Sequence, residues 1–330
     1  MPLFMNRIKQ QFSSLVFLSA LLVLVVPISA QAQQRFMELR GEITSPAYEG
    51  WWQNTDGTYK LFYGYMNSNW EETFNIPIGS DNYFSVVEAN ALDDLAVDGY
   101  DFSQADQNQP THFYPRRNPF LFTIDVPADF GDKEMVWTLK SQGKTLRAYG
   151  TLKPDYAIDP SVISTEVGGN FGSLSDRLRD NIAPDLRIEG ESRRTVKVGE
   201  PLSLAVQASD PDNYPPPLPA PRAIDDLERL YSPPASIVAM SGPGLRFSWS
   251  VYRGPAVNVQ FNPPQMKTYT DTRMYANSPW SPPFTIPAAP ADGRWMADVT
   301  FEEPGEYTLR GIASDGSMFS YQNLIVTVTR

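Results

Sequence analysis

Beyond residue 35 the hydrophobic positions of this chain come in short runs, many of period two, separated by turn residues. Such alternation puts successive side chains on opposite faces of a strand and predicts half-buried β-structure. Tyr48 to Gln53 and Tyr59 to Met66 flank Asn54-Thr55-Asp56-Gly57-Thr58, whose Asp-Gly pair suits a tight hairpin turn. Phe74 to Gly79 alternates and turns at Ser80-Asp81-Asn82, and Phe120 to Val126 is a β run closed by Pro127. Met135 to Lys140 and Thr145 to Leu152 enclose Ser141-Gln142-Gly143-Lys144 as a further hairpin. Between these runs, Glu88 to Gln109 is acidic and polar and reads as a surface loop, with a helical turn at Ala89 to Leu95. Strands at this spacing predict a sandwich or barrel over 33–160.

Residues 161–183 carry Gly168-Gly169, Gly172 and scattered Ser and Asn without a sustained period, and read as a linker. From Pro184 the alternation resumes. Leu186 to Ile188, Thr195 to Lys197, Leu202 to Ala208, Leu245 to Tyr252, Met296 to Glu302, Tyr307 to Ala313 and Leu324 to Thr329 are the expected strands. The expected fold is all-β: two β-sandwich domains, 33–160 and 184–330, joined by a linker.

Proline sharpens this picture. The chain has 30 prolines, and 17 of them fall between Pro211 and Pro290. Proline cannot donate to a sheet ladder and breaks helix interiors. Insertions 211–244 and 254–294 are therefore expected to be long loops on the second sandwich, with strands only in proline-poor gaps.

The first 32 residues have a different pattern. Arg7 and Lys9 precede an apolar run, Leu15 to Val26, which Pro27 ends, and Ala30-Gln31-Ala32 follows. A spanning helix needs about 20 apolar residues. This run is shorter and ends at a small-x-small site of the kind signal peptidase reads. Residues 1–32 read as a cleavable signal peptide, so the chain is expected to be exported, periplasmic or secreted, with no transmembrane segment after cleavage.

Composition narrows the chemistry. The absence of Cys excludes disulfides, a lipid-modified cysteine, thiol nucleophiles and Cys-ligated zinc or iron–sulfur clusters. Without Arg7 and Lys9, 25 basic residues face 38 acidic ones, a net charge of −13. That balance argues against nucleic acid, which requires a basic face.

The second half resembles bacterial immunoglobulin-like domains of the PKD and cadherin-like kind. The matching pieces are Val198-Gly199-Glu200 before a strand, Ala208-Ser209-Asp210 after it and Phe247-Ser248-Trp249 on a central strand. Pro304-Gly305-Glu306-Tyr307 through Ala313-Ser314-Asp315-Gly316 to a Val-Thr-Val strand closes the pattern. The resemblance implies a sandwich with Trp249 between the sheets and Tyr307 on a late strand. The first half resembles a module of exported bacterial proteins of unassigned role. Phe62-Tyr63-Gly64-Tyr65-Met66-Asn67-Ser68-Asn69, Ile76 to Phe84, Gln109 to Phe113, Pro115-Arg116-Arg117 and Val136-Trp137-Thr138-Leu139 carry that likeness. It implies a β fold and no known reaction.

Three groups of residues are candidates for chemistry. Asp210, Asp212 and Asn213 pack three oxygen-bearing side chains into four residues at a strand end. With Asp315 they form either a weak Ca²⁺ site, should both strand ends meet, or Asx-turns that bond local N–H groups. Trp51, Trp52 and Trp280 are either sugar-stacking aromatics or packing residues. Adjacent Trp51 and Trp52 on a strand point to opposite faces, so at most one is expected to be exposed. His112, the single histidine, has no G-x-S-x-G partner and reads as a structural residue. Arg116-Arg117 is expected to pair with acids of the 88–109 loop or with an anionic ligand. No catalytic residue and no other cofactor is singled out. The expected role is non-catalytic, structural or in protein recognition, with carbohydrate binding as the second reading and a carboxylate-based hydrolase as the third. The expected partner is a protein or polysaccharide of the envelope or extracellular space.

Overall fold

A computed structural model describes residues 38–88, 105–167, 176–212, 238–240, 244–271 and 289–330. The expected signal peptide, the turn at 89–95, Asn213 and Trp280 lie outside the described residues. The first module is built from β1 (Thr44–Gln53), β2 (Tyr59–Asn67), β3 (Phe74–Asn75), β4 (Asn82–Val87), β5 (His112–Phe113), β6 (Arg116–Val126), β7 (Glu134–Ser141) and β8 (Lys144–Gly150). One sheet runs β1-β2-β6, a second β4-β7-β8, and β3 pairs with β5. Leu61, Tyr63, Phe122 and Ile124 of the first sheet meet Phe84, Trp137 and Leu139 of the second in one core.

Local chemistry sets the hairpins. Asn54 N–H donates to Thr58 O at 2.8 Å and closes the first, with Gly57 at φ +88°. Gln142 (φ +49°) and Gly143 (φ +73°) form the two-residue turn between β7 and β8, both left-handed as a type I′ turn requires. The alternating run from Phe74 is ordered as strand only over two residues; Pro77 has no N–H to extend the ladder. On β2 the register against β6 shifts between Tyr63 and Tyr65. A side chain at the intervening Gly64 would place its Cβ 2.5 Å from Asn118 O, so only glycine lets the bulged strand approach this closely.

The second module contains β9 (Asp185–Ile188), β10 (Arg193–Lys197), β11 (Leu202–Ser209), β12 (Arg246–Arg253), β13 (Val259–Asn262), β14 (Arg294–Phe301), β15 (Gly305–Ser314) and β16 (Phe319–Thr329). Its sheets run β13-β14-β11-β9 and β10-β16-β15-β12, with β10 parallel to β16. This is the ABED-against-CFG arrangement of an immunoglobulin-type sandwich, with its first strand divided between the sheets. Trp249 packs in the core between them, and Tyr307 Oη donates to Glu303 O at 3.1 Å, a tyrosine corner. β13 occupies a proline-poor gap inside the 254–294 insertion.

Both modules lie in one compact unit, Arg40–Arg330. The segment read as a linker contains two short helices, α1 (Pro160–Glu166) and α2 (Asp176–Arg179). Asp159 caps α1 by accepting from Ser161 N–H at 2.8 Å, and Ile163 packs with Phe62, Phe120 and Met318 in a cluster shared by both modules.

A polar seam continues this contact. β12 is an edge strand, and the 105–114 segment of the first module covers it. Thr111 N–H donates to Tyr252 O at 3.2 Å, Val251 N–H to Tyr114 Oη at 2.9 Å, and Arg253 makes a two-pronged ion pair with Asp106 at 2.7 and 2.8 Å. Arg310 on β15 is fully buried. Its guanidinium lies 3.4 Å from the Tyr252 ring centroid and 4.3 Å from that of Tyr321. It donates to Asn323 Oδ1 and, across the seam, to Leu121 O.

Candidate functional site

The strand β11 ends where its apolar alternation meets Asp210-Pro211-Asp212; the pattern stops because proline cannot extend the ladder. The turn after β15 carries Asp315. The sandwich brings these two ends together: single carboxylate oxygens of Asp210, Asp212 and Asp315 lie within 4.8 Å of one another. Asp315 is fully buried. Its Oδ1 accepts from Ser317 N–H at 2.6 Å and Met318 N–H at 2.7 Å, so the turn reading holds at this residue. Its Oδ2 accepts from Asn181 Nδ2 at 2.9 Å, and Asp212 Oδ2 accepts from Ile182 N–H at 3.2 Å. Burial pushes the Asp315 carboxyl up to about 6, against the pull of these donors, and the neighbouring Asp212 adds to the rise.

Asn181 is the member that the sequence pattern does not disclose. It follows α2, far from both aspartate segments in sequence, and no spacing rule links it to them. It is 6% exposed, and its Oδ1 has no hydrogen-bond partner. Asp212 Oδ1 is likewise shielded and unpartnered.

Trp51 and Trp52 are both half-buried, on opposite faces of β1. Trp51 Nε1 donates to Lys153 O at 2.9 Å and its ring meets Tyr59 edge-on; Trp52 packs edge-on against Phe62 at 4.4 Å. The Trp51 indole N–H is thus committed to backbone, and each ring has one packing neighbour. Trp137 and Trp249 are core residues. Trp295 lines a groove of about 170 Å³ with Phe247, Pro263, Pro264 and Met296.

His112 is buried in the first module at the seam. Its Nδ1–H donates to Asn75 Oδ1 at 2.7 Å, since an amide oxygen only accepts. Burial lowers its pKa to about 4, and Nε2 has no partner. The adjoining cavity of about 10 Å³ has room for a single water. Among the described residues, the partners of Arg117 are two acids outside the 88–109 loop: it forms a two-pronged ion pair with Glu49, 2.6 Å on each arm, and lies 3.3 Å from Glu166. Arg116 donates to Ser68 O at 2.8 Å and stacks 4.3 Å above Trp70. Both arginines are thus committed to internal partners through strand pairing, which sequence proximity does not reveal. Among the described residues, no helix is long and apolar enough to cross a membrane.

No family model and no curated protein matches this chain. Solved structures that align with it include the Yersinia pseudotuberculosis adhesin InvE, at 12% identity over 87% of this chain and 60% of that one, TM-score 0.22. Fibronectin(III)-like modules of Clostridium thermocellum CbhA align at 10% identity over 82% and 85%, TM-score 0.21. The D00-D0 domain of intimin aligns at 7% over 86% and 100%, TM-score 0.21. The chain therefore spans 60% of the length of the InvE chain it aligns with. Superpositions this loose add nothing to the fold read from the strand ladders and carry no weight below.

Proposed function

We propose that this is a non-catalytic exported protein that works in the periplasm or outside the cell, as a structural or protein-recognition element presented on two joined β-sandwiches. The observation that carries the reading is the seam. The histidine and the tyrosines Tyr65, Tyr114 and Tyr252, all with burial-perturbed protonation, are spent inside a closed joint. General acid–base chemistry needs such groups beside a cleft that admits substrate. The same joint fixes two modules in one arrangement, which suits presenting a surface. Assignment of the second module to the PKD or cadherin-like kind belongs to this proposal, and so does removal of residues 1–32.

The test uses the mature protein, residues 33–330, added to native envelope fractions. Retention that protease treatment abolishes and polysaccharide digestion spares supports the reading. Turnover in a broad hydrolase screen overturns it. The Trp295 groove supports polysaccharide as the second reading, because an aromatic ring in a shallow groove is the feature sugar stacking requires. Binding on a glycan array that Trp295→Ala abolishes would favour it over a protein partner.

A further inference from the structure

We propose that His112 is a pH latch on the joint between the two sandwiches: protonation of its imidazole releases the 105–114 segment from strand β12. The inference goes beyond the recognition role, because it concerns when the joint holds and not what the surface binds. His112 stands between the two residues that tie this segment to β12. On one side Thr111 N–H donates to Tyr252 O, and Thr111 Oγ1 accepts from Gly254 N–H, both at 3.2 Å. On the other side Tyr114 Oη accepts from Val251 N–H at 2.9 Å. The imidazole turns Nδ1 to Asn75 of its own module, and its buried Nε2 has no partner. The ring lines a small cavity whose other wall includes Thr268 and, from β12, Ser250, Val251 and Tyr252.

A neutral imidazole fits this place and an imidazolium does not. The titratable groups that line the cavity with it are Tyr65 of β2, Tyr114 and Tyr252, phenols held neutral by burial. The charges on the surrounding elements are Arg310 on β15, Arg116 and Arg117 on β6, and Arg253 on β12. The carboxylates on the segments that meet there, Asp106 and Asp271, are held by Arg253 and Lys267, and Glu49 is held by Arg117. Among the described residues, no carboxylate lines the cavity. A proton on Nε2 therefore meets no counter-ion and has to be solvated by water. Parting the seam admits water with the least loss of structure, because each module keeps its own core, around Trp137 in one and Trp249 in the other. Burial holds the closed-state imidazole down at about 4, against 6.5 in water, so the opened joint binds the extra proton across that window. Between pH 7 and pH 5 the ratio of open to closed joint should rise about twentyfold.

The test is native-state hydrogen exchange of the mature protein by NMR, in urea too dilute to unfold it. Protection factors divide out the intrinsic pH dependence of exchange. The Thr111 and Val251 amides, which donate across the seam, should lose about twentyfold in protection from pH 7 to pH 5. That loss should not vary with urea, because parting the seam exposes little surface. Amides of the β15–β16 ladder should stay better protected and show the urea dependence of global unfolding. His112→Gln should abolish the loss. Asn75→Asp changes an exposed residue and places an anion against Nδ1, so the closed joint tolerates the proton and the loss should shrink below about threefold. It keeps the histidine and serves even where His112→Gln does not fold. Seam amides that lose less than about threefold in wild type, or lose as much in either variant, overturn the proposal. So do seam amides that share the urea dependence of the ladder, since the histidine would then act only through global unfolding.

Discussion

Acid should destabilise this protein through one residue that can be followed by itself. His112 is the single histidine, it is 2% exposed, and burial lowers its pKa from 6.5 to about 4. In the unfolded chain the imidazole takes a proton as pH falls below about 6.5; in the folded chain it resists until about 4. The unfolded state therefore binds more protons across that window, and stability falls with pH. The effect is absent above the unfolded pKa and complete below the folded one. The full shift is worth about 3 kcal/mol, of which about 2 kcal/mol is expressed by pH 5. Asp315 acts in the opposite sense, because its folded pKa is raised from 3.8 to about 6 and it gains stability as pH falls through that range. A comparison with His112→Gln cancels this and every other carboxylate, since both proteins share them. The assay is urea unfolding followed by tryptophan fluorescence at pH 7 and pH 5, with the imidazole Cε1–H resonance titrated by NMR. Wild type should lose about 2 kcal/mol more than His112→Gln between the two pH values. Parallel losses, or an imidazole that titrates near 6.5 in the folded protein, would refute the account of a neutral histidine sealed against Asn75.

Other substitutions probe the joint, the corner and the turn. Arg310→Met leaves Leu121 O and Asn323 Oδ1 without their donor, at about 1–3 kcal/mol each; calorimetry should show the two sandwiches melting further apart. Tyr307→Phe removes the hydroxyl bond to Glu303 O and should cost about 1 kcal/mol in chemical denaturation. Gly143→Ala meets nothing within 4 Å, so its penalty is conformational alone, about 1–2 kcal/mol by urea midpoint.

The strands themselves were readable because period two depends only on neighbours along the chain. Leu202 to Ser209 alternates in sequence, and Leu204, Val206 and Ala208 are the residues it buries. Gln142-Gly143 marks its own turn for the same reason: the requirement for positive φ is local. β12 shows where that reading ends. Its Phe247-Ser248-Trp249-Ser250-Val251-Tyr252 pattern predicts one wet face, yet both faces are buried, because the first module meets the outer one at Tyr252, whose hydroxyl donates to Asn108 O, and Met266 of the second module meets it at Ser248. Alternation says which residues share a face; it does not say what lies against that face. Trp52 shows the same: its ring partner Phe62 comes from another strand, and the cluster it packs against includes Ile163 of α1 and Met318 of the second module. Ion pairing follows this rule too. Arg117 sits 68 residues from Glu49, and only the β1-β2-β6 ladder makes them neighbours. For the acidic cluster, the sequence alone supplied Asp210, Asp212 and Asp315 as oxygen donors at strand ends. Tertiary structure decided that these ends coincide and that Asn181 joins them. The reason is that sheet pairing fixes distances between loops that the intervening chain leaves free.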